Sequence, residues 1–352
     1  MTDQNIRLTF RGGGWVLVMT GIVLLGIVAW AIAPAVLRMT NLPPGDNQTI
    51  ESYKFDLSNL QISRDLVVPA MRHRNMSPVV TEPIILSPEE IKQRNSSKRD
   101  PLVVSKDIVV GITMNGETRA YPLHFLHVHE IVNDTLGGVP ISIIWHWPSG
   151  HLAVFERTIG SSDLQFANSG LVGNGGMLFY PLQEEVGGEQ LFASMLGRSM
   201  SGDDVSLVQV PHDLVSWKNW STQHPNTTAL GPNKQLKKRY RKASPELYFR
   251  TEKIYFPVAQ MPESELNPKT PIIVLHIDGS DFVYSIPALL EVAGDDGLFQ
   301  DPNNFHAFTV QDNPMTVLVQ NPQGQNALTS TALWFAWHAN HPDATITSLS
   351  QE

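Results

Sequence analysis

The stretch Val109–Arg157 decides the fold: VVGITMNGETRAYPLHFLHVHEIVNDTLGGVPISIIWHWPSGHLAVFER. Asn115-Gly116 lies between two apolar, β-branched runs, and this dipeptide is the strongest short-range signal of a β-hairpin. Pro122 can open a short helix, because the first helical residue needs no N–H donor. We expect Asn133-Asp134 and Gly137-Gly138 to end that helix and turn the chain. The predicted order is therefore hairpin, short helix, glycine turn and a second hairpin.

Hairpin signals continue along the 352 residues, whereas long amphipathic helices are few. This pattern argues against a parallel α/β sheet. A chain of this length holds one or two domains, each large enough for its own core. The predicted fold is α+β and strand-rich, with two tandem related modules of antiparallel hairpins and short helices behind one N-terminal transmembrane helix.

A repeated string supports the two modules. Residues 217–226 (WKNWSTQHPN) match residues 334–343 (WFAWHANHPD), and the Asn115-Gly116 turn matches Asp278-Gly279. Two tryptophans three residues apart on a helix more often mark a buried face than a binding site. We therefore expect the first tryptophan of each string to occupy an equivalent buried position.

The second copy has Ala288, Leu289 and Leu290 where the first copy has a cluster of histidines. This asymmetry predicts that the first copy keeps a site and the second keeps only the fold. The chain is then divided into a cytoplasmic N-terminus (1–13), a transmembrane signal anchor (14–38), a stalk and entry segment (39–100), module 1 with the candidate site (101–232), a basic linker (233–252) and module 2, a degenerate repeat (253–352).

Residues Trp15–Leu37 carry no charge, and as a helix they would span about 34 Å, enough for a hydrocarbon core of about 30 Å. Ala31-Ile32-Ala33 resembles a signal-peptide cleavage box, so a cleaved signal is the alternative, although the apolar run is long for one. Arg7 and Arg11 favour a cytoplasmic N-terminus. We predict a single-pass anchor in the inner (cytoplasmic) membrane, with the bulk of the chain in the periplasm or outside.

Composition excludes several other functions. A net charge of -9 argues against a nucleic-acid partner, whose binding domains are usually basic. The chain has no cysteine, which excludes disulfides, thiolate metal ligands and a cysteine nucleophile. The basic run Lys234–Lys242 could contact anionic lipid headgroups near the membrane, and a solvated linker is the alternative.

The histidines of the first copy raise the question of a metal site. On a helix from Pro122, residues three apart share a face, so one helix can offer two ligands but not three. Neutral imidazole suits zinc or copper. The candidate ligand pairs are His124 with His127, and His129 with His146. The alternative is that the histidines are scattered without a common ligand.

Three residues are candidates for catalysis: His129, Glu130 and Asp134. A carboxylate beside an imidazole fixes its tautomer and raises its basicity, which suits a general base or a ligand. A zinc-protease motif fails, because position 133 is asparagine rather than histidine. Asn168-Ser169-Gly170 lacks the glycine pattern of a nucleophile elbow. The alternative for His129 is a core residue that donates one N–H to a backbone carbonyl.

The string His129-Glu130-Ile131-Val132-Asn133-Asp134-Thr135, preceded by the Asn115-Gly116 hairpin, resembles the core signature of the bacterial and archaeal domain-of-unknown-function family numbered 3179. The resemblance covers most of residues 100–352 and implies no established reaction. Members of that family typically carry two cysteines, which could hold a soft metal or form a disulfide. Those positions fall on His146 and Ser149 here, so the resemblance implies a divergent member with either a changed ligand set or lost chemistry.

Two functions follow as hypotheses. The first is a membrane-anchored, exported binding or accessory protein that assists a metal or redox system, with a protein partner in the envelope. The second is an enzyme, metal-dependent or not, with a histidine–carboxylate site built in module 1 from His129, Glu130, Asp134 and His146. The missing cysteines favour the first.

Overall fold

The computed structural model describes residues 14–40, 43–97, 101–241 and 245–349. It divides into two compact units, Met1–Pro44 and Gly45–Glu352. The predicted cytoplasmic N-terminus, residues 1–13, lies outside the described residues, as do residues 242–244 of the predicted basic linker.

The first unit contains the helix α1, Gly14–Thr40. Its segment Gly14–Pro34 is long and apolar enough to cross a membrane, and lies near the N-terminus. A signal sequence near the N-terminus can meet the same criteria of length and composition, so the predicted anchor and the predicted cleavage alternative both remain.

The second unit is built from short elements. Its helices are α2 Pro88–Asn95, α3 Leu123–His129, α4 Trp217–Gln223, α5 Lys237–Tyr240, α6 Glu246–Phe249, α7 Ile286–Val292 and α8 Trp334–Asn340. Its strands are β1 Val67–Pro69, β2 Ile85–Leu86, β3 Ile108–Met114, β4 Glu117–Pro122, β5 Ile131–Leu136, β6 Val139–His146, β7 His151–Glu156, β8 Thr158–Ile159, β9 Ser162–Asp163, β10 Phe166–Gly173, β11 Gly176–Pro181, β12 Phe192–Ala193, β13 Arg198–Ser199, β14 Asp213–Ser216, β15 Thr228–Leu230, β16 Pro271–Ile277, β17 Ser280–Ser285, β18 Leu298–Gln300, β19 Ala307–Asp312, β20 Met315–Gln320 and β21 Thr329–Leu333.

These strands form largely antiparallel sheets. One sheet has the order β18-β19-β20-β14-β3-β4-β15-β2, a second has the order β17-β16-β21-β7-β6-β5, and a third has the order β1-β10-β11-β12-β13. Their strand pairs are antiparallel except β4 with β15, which is parallel. The predicted strand-rich α+β class, with antiparallel hairpins and short helices, is confirmed.

The order of elements recurs in the two halves of the chain. Each half has a hairpin, a helix, a three-stranded meander, and then a strand that leads into a tryptophan helix. The meander of each half pairs with the other half, through Leu152 opposite Thr331 and Val317 opposite Leu214. Both large sheets therefore combine strands of the two predicted modules. Separate tandem modules are not confirmed, and their superposition stays a prediction.

The tryptophan helices are not equally buried. Trp334 is buried, as are Trp220 and Trp337, whereas Trp217 is only half-buried. The expectation of equivalent burial is therefore wrong for Trp217, which packs at the margin of its hydrophobic cluster.

The segment predicted as a stalk supplies core residues to the second unit. Ile50, Tyr53 and Phe55 are buried in one hydrophobic cluster with Leu171, and β1 pairs with β10. These apolar residues are buried there because β10 and β11 offer them a sheet face to pack on.

The helix α3 ends earlier than the sequence predicted. It stops at His129, and Ile131–Leu136 form β5, which turns through Gly137-Gly138 into β6. The expected helix end at Asn133-Asp134 was therefore wrong. The β-branched residues Ile131 and Val132 explain the difference, because both are fully buried against β6.

Candidate functional site

Glu130 lies buried at the junction between α3 and β5. Its φ of +59° is uncommon for a residue other than glycine. Its backbone is held on both sides, because its N–H donates to Leu126 and its carbonyl accepts from Trp145. Its Oε2 accepts from Asn168 Nδ2 at 2.6 Å, and burial raises the pKa of the carboxyl to about 7. This carboxyl therefore resists ionisation.

His129 is buried, and the chain engages both of its ring nitrogens. Nδ1 lies 2.5 Å from the carbonyl oxygen of Pro78, and Nε2 lies 2.7 Å from the hydroxyl of Tyr240. A carbonyl only accepts, so Nδ1 carries the proton and Nε2 accepts from the tyrosine. Burial lowers the pKa of this imidazole. Its contacts match the predicted structural role, with one N–H donated to a backbone carbonyl.

Asp134 is part of a buried ion pair. Its Oδ2 accepts from Arg119 Nη1 and from the Tyr121 hydroxyl, each at 2.7 Å. The side chains of Arg119 and Asp134 are 10% and 5% exposed, so little water screens the pair. These contacts join the first hairpin to β5, and a catalytic role for Asp134 stays a prediction.

The other predicted metal ligands contact separate neighbours. His127 Nδ1 accepts from Trp145 Nε1 at 3.0 Å, and His124 packs against the ring of Phe125. Burial lowers the pKa of His127 to about 4, so its imidazole is neutral at neutral pH.

His146 and Ser149 are the positions where members of the resembled family typically carry cysteines, and here they contact each other. His146 Nδ1 lies 2.7 Å from Ser149 Oγ, and both residues are buried. Burial lowers the pKa of His146 to about 3. Within the described residues, no group of three or more His, Asp or Glu side chains is placed to hold a metal ion. A zinc or copper site at these histidines stays a prediction.

A hydrogen-bonded chain that the sequence did not reveal crosses three neighbouring strands. Asp281 Oδ1 lies 2.6 Å from His276 Nδ1, and His276 Nε2 lies 3.0 Å from Ser330 Oγ. Asp281 is on β17, His276 on β16 and Ser330 on β21, which are adjacent in one sheet. The serine, imidazole and carboxylate are therefore connected by two successive hydrogen bonds.

The donors and acceptors of this chain agree with one another. The hydrogen bond from His276 lowers the pKa of the Asp281 carboxyl, so the carboxylate is ionised and accepts from Nδ1. With the ring proton on Nδ1, Nε2 is an acceptor for the Ser330 hydroxyl. Gln209 Nε2 donates to Ser330 Oγ at 2.7 Å and fixes its position.

Ser330, His276 and Asp281 line a cavity of about 200 Å³. Its remaining walls come from β7, from the turn that begins at Ser194, from the segment of Leu207 and Gln209, and from α8 and the residue that follows it. Three of the residues that line the cavity, His151, Ser194 and Trp337, each carry a buried side-chain atom (Nδ1, Oγ and Nε1, respectively) that has no hydrogen-bond partner among the residues that the structure describes. Buried polar groups nearly always have partners, so these three side chains mark the cavity as a candidate binding site.

Charge limits what the cavity can hold. Burial lowers the pKa of His151 to about 3, and the neighbouring histidines add to that effect, so its ring is neutral. No lysine or arginine belongs to the described residues that line the cavity, whereas ionised Asp281 does. The arrangement therefore favours a neutral polar group over an anion.

Part of this site had a signal in the sequence. His276 and Asp281 flank Asp278-Gly279 symmetrically, and a two-residue hairpin places such residues directly opposite each other. No sequence signal indicated Ser330, because its position beside β16 depends on strand pairing across more than fifty residues. The residues come from both halves of the chain, although the second half was predicted to keep only the fold.

A family model described as a protein of unknown function, DUF3179, matches residues 82–301. No curated protein and no solved structure matches the chain. The matched residues include His276 and Asp281, while Ser330 and Trp337 lie beyond them.

Proposed function

The chain belongs to DUF3179, a family of proteins of unknown function, and we propose that it is a membrane-anchored, exported binding protein. Its second unit binds a small neutral carbonyl compound in the cavity beside Ser330. The observation that carries this proposal is that three of the residues lining that cavity, His151, Ser194 and Trp337, each carry a buried polar atom without a partner among the described residues.

The energetics of these atoms favour a ligand. A buried polar group without a partner costs about 1–3 kcal/mol, and His151, Ser194 and Trp337 are each only 1–2% exposed. The indole N–H of Trp337 only donates, so the ligand must present an acceptor. A carbonyl oxygen does so without the negative charge that Asp281 would oppose.

The size of the cavity limits the ligand. Sites for drug-sized molecules have volumes of roughly 300–1,000 Å³, and this cavity has about 200 Å³. The bound group is therefore a compound of few heavy atoms, or the end of a larger one.

We expect N-methylacetamide to raise the midpoint of thermal unfolding of the full chain in detergent, because a ligand of the folded state stabilises it by mass action. Ala153 lines the cavity and is 1% exposed, so Ala153→Leu should fill the space and remove the rise. The matched control is Ala259→Leu, at an exposed alanine outside the cavity, which should keep it. An equal response of Ala153→Leu and the unsubstituted chain would contradict binding in the cavity.

Export is proposed from the apolar helix α1 and the arginines that precede it. A reporter that is active only outside the cytoplasm, fused after Glu352, should be active. The alternative, cleavage after Ala33, predicts a mature chain that starts at Pro34, and intact-mass measurement distinguishes the two. An inactive fusion in a well-expressed, membrane-inserted protein would contradict export.

An accessory role for a metal or redox system, with a protein partner in the envelope, stays a proposal. One contact supports it: His146 and Ser149, at the positions of the resembled family's cysteines, are hydrogen-bonded to each other. The alternative enzyme site from His129, Glu130, Asp134 and His146 also stays a prediction, although the contacts of each side chain with its protein neighbours favour structural roles.

A further inference from the structure

We propose that Ser330 is a nucleophile, activated by His276 and Asp281, that cleaves an acyl compound bound in the cavity. This inference rests on the proposed function and deepens it, because it assigns a reaction to the same carbonyl site. The histidine–carboxylate pair of this site lies on the hairpin of β16 and β17, whereas the sequence predicted such a pair in the first half of the chain.

The geometry matches what an activated serine needs. Nucleophile and base must lie within about 2.6–3.2 Å, and a third group must orient the base. Ser330 Oγ and His276 Nε2 are 3.0 Å apart, and His276 Nδ1 and Asp281 Oδ1 are 2.6 Å apart. Such triads occur on unrelated folds and are recognised by geometry and roles rather than by position in the sequence.

The sheet explains how these residues meet. His276 pairs directly with Asp281 across the hairpin, and Ser330 pairs with Val274, two residues along β16 from His276. Side chains two residues apart on a strand share a face. The triad therefore lies on one face of three strands that are adjacent in the sheet, and these strands hold it more rigidly than loops would.

The reaction balances without a cofactor. Ser330 Oγ attacks the carbonyl carbon while its proton passes to His276 Nε2, and the carbonyl electron pair moves to oxygen. The tetrahedral intermediate collapses, and the leaving group departs with the proton from His276. Water, activated by the same imidazole, then attacks the acyl-serine, releases a carboxylic acid and restores the Ser330 hydroxyl.

The unpartnered donors have a place in this reaction. Charge develops on the former carbonyl oxygen, and fixed donors in a dry site stabilise it strongly. Trp337 and Ser194 line the same cavity, and the indole N–H and the hydroxyl have no partner among the described residues. Gln209 holds Ser330 Oγ in position during the attack.

A purely structural role for these side chains explains only part of the arrangement. Hydrogen bonds between neighbouring side chains on a sheet face are common and stabilise it modestly. A purely structural network has no reason to line a cavity together with buried unpaired donors. It also gives no chemical reactivity to the serine, so covalent labelling separates the two roles.

A fluorophosphonate probe tests the proposal on the purified full chain. Ser330 Oγ should displace fluoride from phosphorus, giving one adduct per chain that peptide mapping places on Ser330. Ser330→Ala should carry no adduct, and Asp281→Asn should slow labelling by at least about 10²-fold, because it favours the wrong imidazole tautomer. The matched control is Ser280→Ala, an exposed serine on the same hairpin, which should label at the unsubstituted rate.

Every outcome decides between the proposals. An adduct on Ser330 together with hydrolysis of p-nitrophenyl acetate, both lost in a folded Ser330→Ala, supports the inference. If Ser330→Ala does not fold, the mapped position of the adduct on the unsubstituted chain decides alone. A chain that binds N-methylacetamide but never labels at Ser330 overturns this inference and leaves the binding function intact. A chain that does neither overturns both.

Discussion

Asp134→Ala is expected to reduce the free energy of unfolding by about 3–5 kcal/mol, because removing one partner of a buried ion pair leaves the other charge uncompensated. Asp134 Oδ2 is the shared acceptor for Arg119 Nη1 and the hydroxyl of Tyr121, and Tyr121 is completely buried. Denaturant unfolding of the full chain, compared with the unsubstituted protein, measures this loss.

Glu117→Ala is the matched control, since it removes a carboxylate from the same guanidinium. Glu117 Oε2 lies 3.8 Å from Arg119 Nη2, and its side chain is 59% exposed. Exposed pairs contribute about 0–1 kcal/mol, so this variant should be nearly as stable as the unsubstituted chain. If Asp134→Ala lost as little free energy of unfolding as Glu117→Ala, the ion pair would not stabilise the hairpin. Asp134 would then be a stronger candidate for catalysis.

Glu130→Gln is expected to be more stable than the unsubstituted protein above pH 7, by up to about 3 kcal/mol. Burial raises the pKa of Glu130 from 4.5 to about 7. The folded state therefore keeps the proton that the unfolded state releases, and the protein loses stability as the pH rises from 4.5 to about 7. Glutamine stays neutral and retains an acceptor for Asn168, so the variant avoids this loss.

The measurement is the free energy of unfolding of both proteins from pH 4 to pH 8. The two should be similar near pH 4 and diverge as the pH rises. Glu89→Gln, at an exposed position on α2, controls for the general effect of removing one acidic group. If the free energy of unfolding depended on pH in the same way in Glu130→Gln and in the unsubstituted chain, Glu130 could not be a buried carboxyl that keeps its proton in the folded state.

Local signals predicted most of the strands of the decisive stretch. Asn115-Gly116 gave the first hairpin, because two residues with positive φ suffice to turn a chain back on itself. The junction at Glu130 was missed for a physical reason. Its positive φ is imposed by burial of the flanking helix and strand, which no local propensity encodes.

The candidate site could be predicted only in part. The pairing of His276 with Asp281 is readable from their hairpin, but Ser330 and Gln209 reach His276 through strand contacts between distant segments. The histidines of the first half cluster in the sequence, and this clustering predicted a site there. In space, His127, His129 and His146 contact different neighbours, since they lie on a helix and on a strand of the adjoining sheet.

The most direct test of the cavity is the indole N–H resonance of Trp337 in the ¹⁵N-labelled full chain, assigned by its loss in Trp337→Phe. The chain has eight tryptophans, so the other indoles serve as internal controls. If the cavity binds a neutral carbonyl, N-methylacetamide will shift this resonance saturably, and Ala153→Leu will abolish the shift. A Trp337 resonance that does not move, or that moves equally in Ala153→Leu, would contradict the assignment of this cavity as the binding site.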